Sequence, residues 1–129
     1  MILTQLKASV DNKAIVESGA CLMANLSYSN EQVKESLRQL NIIPIFLYLL
    51  EAVQESKDLN VFKQILRVFG NLSLSVKCTQ QLIDDRFCSI AGNMLDSIDI
   101  LTNLDEQKAV LLKTLLDLIA NLASHKYKL

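Results

Sequence analysis

The sequence predicts an all-α protein built as a helical solenoid, and three observations carry that reading. Apolar residues recur at helical spacings of three and four along most of the 129 residues. Turn-formers are scarce, with 3 Gly and 1 Pro, although 50% of the chain is apolar and only 5% aromatic; this composition argues against a many-stranded fold. One short helix ending also returns three times: Ala24-Asn25-Leu26-Ser27, Gly70-Asn71-Leu72-Ser73 and Ala120-Asn121-Leu122-Ala123. The asparagines stand 46 and 50 residues apart. Recurrence at that period marks units that bury their apolar faces only by stacking on one another.

The first long helix is expected over residues 12–27, with Ile15, Val16, Ala20, Met23 and Leu26 as its apolar stripe. Asp11 or Asn12 can cap it, a side-chain oxygen accepting an orphan amide of the first turn. A shorter helix follows over 30–40, with Val33, Leu37 and Leu40 inward and Glu31, Lys34, Glu35 and Arg38 outward. Ser29 and Gln32 have capping-box spacing. Asn41 suits a left-handed turn position, which few residues tolerate.

A third helix begins near Ile43 and Pro44, since proline in the first turn sacrifices no intrahelical hydrogen bond. It is apolar on nearly all faces through Leu50 and should be wrapped by neighbours. The polar stretch 54–58 closes the unit. The cycle then repeats. A long helix over 59–73 turns Val61, Phe62, Ile65, Leu66, Phe69 and Leu72 inward. A short helix carries Val76, Cys78, Leu82 and Ile83, and a wrapped helix runs over 87–101, interrupted by Gly92 and Asn93. Whether 76–101 is one helix or two is open at this level. A final long helix is expected over 106–124, with no strand anywhere.

The expected organisation is one domain of stacked units: 1–10 as the end of a preceding unit, 11–57 and 58–104 as full units, and 105–129 as a partial one. Within these, residues 2–9 read as the tail of a wrapped helix and 125–129 as the start of another short helix. The chain therefore reads as beginning and ending inside repeats, a piece of a longer array or a stack whose ends are covered.

A net charge of −1 gives no basic excess for nucleic acid. The longest apolar run, residues 42–50, is too short to cross a bilayer, and no targeting segment is evident. Three cysteines at positions 21, 78 and 88, odd in number and without metal-type spacing, suggest an intracellular, cytoplasmic setting. Cys21 and Cys88 read as small core fillers. His125 is the only histidine. With no acid, base, nucleophile or metal constellation, the expectation is a non-enzyme without cofactor or metal. Gly19, Gly70 and Gly92 are isolated within helices and form no phosphate-cradling loop, and Asp84-Asp85 reads as loop decoration.

The order of short helix, wrapped helix and long helix ending in small-Asn-Leu-small resembles the armadillo repeat. Asn30-Glu31-Gln32-Val33 followed by residues 41–50 is similar to that family's short helix and its Gly-x-x-Pro-x-Leu-x-x-Leu-Leu segment, with Asn41 where glycine is usual. The match covers essentially the whole chain as two full repeats and two partial ones, weaker over 76–101; HEAT repeats are the nearest alternative. The resemblance implies a right-handed α-solenoid whose long third helices line a concave groove for a protein or extended peptide. It implies that Asn25, Asn71 and Asn121 bond the ligand backbone. One turn earlier, where the family carries tryptophan, stand Cys21, Arg67 and Asp117, and the chain has no Trp. That departure argues against nuclear-signal recognition, and the mixed signs of Glu17, Lys63, Arg67, Lys113 and Asp117 argue against a uniformly basic groove.

The groove residues expected from this reading are Asn25, Asn71, Asn121, Arg67, Lys63, Cys21 and Asp117. Each has a structural alternative. An asparagine near a helix end can satisfy loose backbone groups without a ligand. Arg67 can clamp a carboxylate or phosphate, or be solvated or paired internally. The small neighbours Ala24, Gly70 and Ala120 are expected to permit close helix packing. The expected function is a non-catalytic interaction scaffold. The alternatives are an architectural subunit of a large cytoskeletal or ciliary assembly, packed through its ends or convex face, and a small-GTPase regulator or chaperone of the irregular armadillo type.

Overall fold

Short polar side chains set where the helices begin. Asn12 Oδ1 accepts the Ile15 amide at 3.3 Å, Asn30 Oδ1 the Val33 amide at 3.0 Å, and Ser75 Oγ the Cys78 amide at 3.4 Å, each satisfying a first-turn donor. The cap of the second helix is thus Asn30, one residue after the expected Ser29, which lies outside the described residues. The structure is a computed structural model and describes residues 12–28, 30–54, 59–97 and 106–128, with Gln5 and Ala8. Among the described residues are seven α-helices and no strand: α1 Lys13–Ser27, α2 Glu31–Gln39, α3 Ile42–Gln54, α4 Leu59–Leu72, α5 Val76–Asp84, α6 Phe87–Ser97 and α7 Glu106–Lys128. None is long and apolar enough to cross a membrane.

The turns before α3 and α6 use the same device. Asn41 has φ 67° and Arg86 φ 68°, a left-handed position that costs an ordinary L-residue roughly 1–2 kcal/mol. The first is the turn expected at Asn41; the second has no sequence signal, because arginine is not a turn residue. Residues 76–97 accordingly form two helices, and residues 98–101 of the expected wrapped helix lie outside the description. At the other end, α7 continues through residue 128, so 125–128 extend the long helix and do not start a new one.

Helices three apart in sequence pack against each other: α1 on α4, α2 on α5, α3 on α6 and α4 on α7, most extensively among the long helices α1, α4 and α7. The core lies along these rows. α4 at its centre buries Val61, Phe62, Ile65, Leu66, Val68, Phe69 and Leu72, leaving one polar strip outward. The Phe69 ring meets Phe87 of α6 edge-on, centroids 5.4 Å apart, a geometry favoured by the ring quadrupoles. α3 is wrapped on most sides, with Ile42, Ile43, Phe46, Leu49 and Leu50 fully buried and Tyr48 exposed.

The α2–α5 stack is held in register by polar contacts. Ser75 Oγ donates to Glu31 Oε1 at 2.6 Å, Cys78 Sγ to the Lys34 carbonyl at 3.9 Å, and Arg38 Nη1 to Gln81 Oε1 at 3.4 Å. Arg38 also pairs with Glu35, whose hydrogen bond is the main cause of a lowered Glu35 pKa and a raised Arg38 pKa.

Several inward and outward expectations are corrected. Lys34, expected outward, is buried at 7% exposure on the helix against which α5 stacks. Ile15, Leu26, Leu40 and Val76 are exposed apolar side chains. Cys88 is exposed and fills no core; Cys21 is half-buried, and the deeply buried thiol is Cys78, whose pKa burial raises. Gly70 is not needed for close packing, since a Cβ there meets nothing within 4 Å.

Candidate functional site

Small-Asn-Leu-small segments close α1 and α4, whereas the third, residues 120–123, lies inside α7, which was expected to end there and continues to Lys128; side-by-side packing brings the three segments together. Asn71 Nδ2 of α4 donates to the Ala24 carbonyl at 2.7 Å and to Ser27 Oγ at 3.2 Å on α1. Asn121 Nδ2 of α7 repeats the move, donating to Ser73 Oγ at 3.2 Å just beyond α4. Each buried serine hydroxyl passes its own proton three residues back, Ser27 to the Ala24 carbonyl at 3.1 Å and Ser73 to the Gly70 carbonyl at 2.7 Å. An asparagine from one long helix thus fastens the end of the previous one.

This arrangement consumes amide donors and leaves acceptors. Asn71 Nδ2 makes both of its hydrogen bonds on α1, while its Oδ1 receives no hydrogen bond among the described residues. The same is true of Asn121 Oδ1. Asn25, at the corresponding place on α1, is exposed; its Oδ1 accepts Arg67 Nη2 at 3.5 Å. Arg67 is also held by Gln64 Oε1 at 2.5 Å, one turn earlier on α4. Arg67 therefore spans α4 and α1 with its guanidinium half-buried, while Lys63, one turn before it, is exposed.

At the α7 end Asp117 is paired with Lys113 at 2.9 Å, both side chains largely in solvent. That hydrogen bond is the main reason the Lys113 pKa is raised. Cys21 lies half-buried one turn before Asn25. Of the expected groove residues, the structure joins Asn25 to Arg67 directly, and ties Asn71 to α1 and Asn121 to the end of α4. Cys21, Lys63 and Asp117 lie one turn along their helices from this line and make no hydrogen bond to it among the described residues. Sequence reasoning missed Ser27, Ser73 and Gln64; the recurring Asn-Leu-Ser at 25–27 and 71–73 was the available signal for the serines.

The side-chain carbonyls of Asn71 and Asn121 are hydrogen-bond acceptors, and Lys63 and Arg67 are cations to which acidic groups are attracted. A separate open cleft of about 690 Å³ lies among α3, α5 and the start of α6, with Tyr48, Glu51, Asp84, Asp85 and Arg86 among its lining. Its two aspartates already accept hydrogen bonds from Gln80 at 3.0 Å and Gln81 at 3.2 Å on their own helix. Among the described residues no three His, Cys, Asp or Glu side chains converge as a metal site. Comparison with protein-family models, with curated proteins and with solved structures returns no match to this chain.

Proposed function

We infer that the chain is an armadillo-type α-solenoid and works as a non-catalytic scaffold that holds an extended protein segment in the groove lined by α1, α4 and α7. The observation that carries this reading is the Asn25–Arg67–Asn71–Asn121 line, tied across successive long helices, in which the Asn71 and Asn121 side-chain carbonyls receive no hydrogen bond among the described residues. Because the strip is rigidly held, little ordering entropy is spent on the receptor side when a peptide binds. The period-three packing of helices, the matched left-handed turns at Asn41 and Arg86, and the corresponding caps at Asn30 and Ser75 support the repeat architecture. Side-chain choice falls to Lys63, Arg67 and the flanking Cys21 and Asp117, and the central cations favour a segment with an acidic residue.

The test is panning of a displayed random-peptide library against the wild-type chain, followed by affinity measurement with a Lys63→Glu/Arg67→Glu variant. Enriched peptides should carry acidic residues and bind the variant at least tenfold more weakly, while its helical signal is unchanged. Peptides that bind both proteins equally would remove function from this strip.

A further inference from the structure

Among the described residues the Arg67 guanidinium is held by two neutral amides and by no carboxylate. It belongs to α4, which packs against α1 on one side and α7 on the other. Nη1 donates to Gln64 Oε1 at 2.5 Å, one turn earlier on α4, and Nη2 donates to Asn25 Oδ1 at 3.5 Å on α1. A guanidinium carries its N–H donors in a rigid planar fork that matches a carboxylate. The two amide carbonyls take one donor each and leave the rest of the fork unspent among the described residues.

Arg38 supplies the contrast within the same fold. It too is held by the side chain three residues earlier on its own helix and by an amide carbonyl on a neighbouring one, Gln81 Oε1 of α5 at 3.4 Å. The residue three before it is Glu35, however, whose carboxylate takes Nε at 2.8 Å and Nη2 at 2.5 Å. Arg38 is thereby oriented and neutralised together. Arg67, with glutamine in the place of that glutamate, is oriented while keeping its charge. The acids along the strip do not supply the missing partner. Asp117 is bound to Lys113 at 2.9 Å, and Glu17 of α1 makes no ion pair with Arg67 among the described residues.

The geometry points to Gln64 and Asn25 as positioning residues, which set the Arg67 fork across α1 and α4 so that it receives one Asp or Glu carboxylate of the bound segment, resting on the strip as the recognition surface. Gln64, at the shorter distance, is the principal holder and Asn25 the lesser one. Asn25 then serves the ligand through Arg67, since its carbonyl is spent on the guanidinium and not on a ligand backbone. A holder without charge fixes the donors in advance and leaves the full attraction to an anion arriving from outside. Neutrality at position 64 is therefore the selecting property. A carboxylate there would pair with Arg67 as Glu35 pairs with Arg38 and would compete with the acid of the segment.

The experiment uses an acid-bearing peptide enriched on the wild-type chain and its counterpart with the acid replaced by the matching amide. Binding is read by fluorescence anisotropy for wild type, Arg67→Ala, Gln64→Ala, Gln64→Glu and Asn25→Ala, each first checked for helical signal and urea midpoint. The acidic peptide should bind Arg67→Ala about tenfold more weakly. Gln64→Ala should lose about fivefold and Asn25→Ala about twofold, following the two bond lengths. Gln64→Glu should keep or raise the urea midpoint yet lose about tenfold in binding, a combination that a merely structural Gln64 does not produce. The Gln64→Ala loss should vanish when Arg67 is already alanine, and the amide peptide should bind wild type, Gln64→Ala and Gln64→Glu alike. Gln64→Glu that binds the acidic peptide as tightly as wild type overturns the proposal, as does a Gln64→Ala loss that persists without Arg67. An acidic peptide weakened by Lys63→Ala and not by Arg67→Ala overturns it while leaving the strip as the recognition surface. Enrichment of peptides without acids, or peptides that bind Lys63→Glu/Arg67→Glu unchanged, overturns both.

Discussion

Replacing Asn71 with alanine removes the two bonds that tie α4 to the end of α1, at 2.7 Å and 3.2 Å. A typical hydrogen bond contributes about 1 kcal/mol net. The Ala24 carbonyl keeps the Ser27 hydroxyl at 3.1 Å, so no acceptor is stranded, and the expected loss for Asn71→Ala is about 2 kcal/mol. Asn121→Ala gives up one bond of 3.2 Å and should cost about 1 kcal/mol. Asn25→Ala gives up only the long contact with Arg67 at an exposed site and should cost no more than about 0.5 kcal/mol. Asn71→Asp keeps the shape but sets a carboxylate oxygen where the amide nitrogen met the Ala24 carbonyl, so repulsion replaces attraction. Its cost should exceed that of alanine, at about 3 kcal/mol. Urea unfolding followed by far-ultraviolet circular dichroism gives the ranking directly from midpoints at constant slope. The reasoning is refuted if the three alanine variants are equally destabilised, or if Asn71→Asp is milder than Asn71→Ala.

Other consequences follow from single features. Arg86→Gly relieves a left-handed backbone at φ 68° and should stabilise by about 0.5–1 kcal/mol, whereas Asn41→Gly at φ 67° should be nearly neutral because asparagine tolerates that region; thermal melts compare them. Gly70→Ala places a Cβ in open space within α4 and should raise stability by about 1 kcal/mol in the same melts. The Glu35 pKa is lowered from its ordinary 4.5, chiefly by the Arg38 hydrogen bond. A lowered folded pKa contributes stability above the ordinary value and loses it as pH falls through the folded value. The advantage of wild type over Glu35→Gln in urea should therefore shrink on acidification below pH 4.5. Thiol alkylation followed by mass spectrometry should modify exposed Cys88 first, half-buried Cys21 more slowly, and Cys78 only as the protein opens.

The helices themselves were legible because their signals are local: periodic apolar stripes, the Asn12 cap of α1, and a left-handed asparagine at residue 41 before α3. What single-helix reading does not contain is the neighbour. Ile15 and Leu26 share the apolar pattern of Val61 and Leu72, yet they are exposed, whereas α4 lies between two long helices among the described residues. Lys34 is charged, which reads as outward, yet it is buried on the helix against which α5 stacks. Arg86 gave no turn signal, since arginine has no preference for the left-handed region it occupies. The asparagines of the candidate site were found by recurrence. The direction of their amides, toward the previous helix, depends on inter-helix geometry that spacing along the chain does not encode.

The most direct test of the long-helix strip as the recognition surface is a two-dimensional amide NMR titration of the wild-type chain with the best panned peptide. Peptide-induced shifts should gather at residues 21–25 of α1, 63–71 of α4 and 117–121 of α7. Shifts gathered at Tyr48, Glu51, Asp84, Asp85 and Arg86 around the separate cleft, with the strip unchanged, would contradict it.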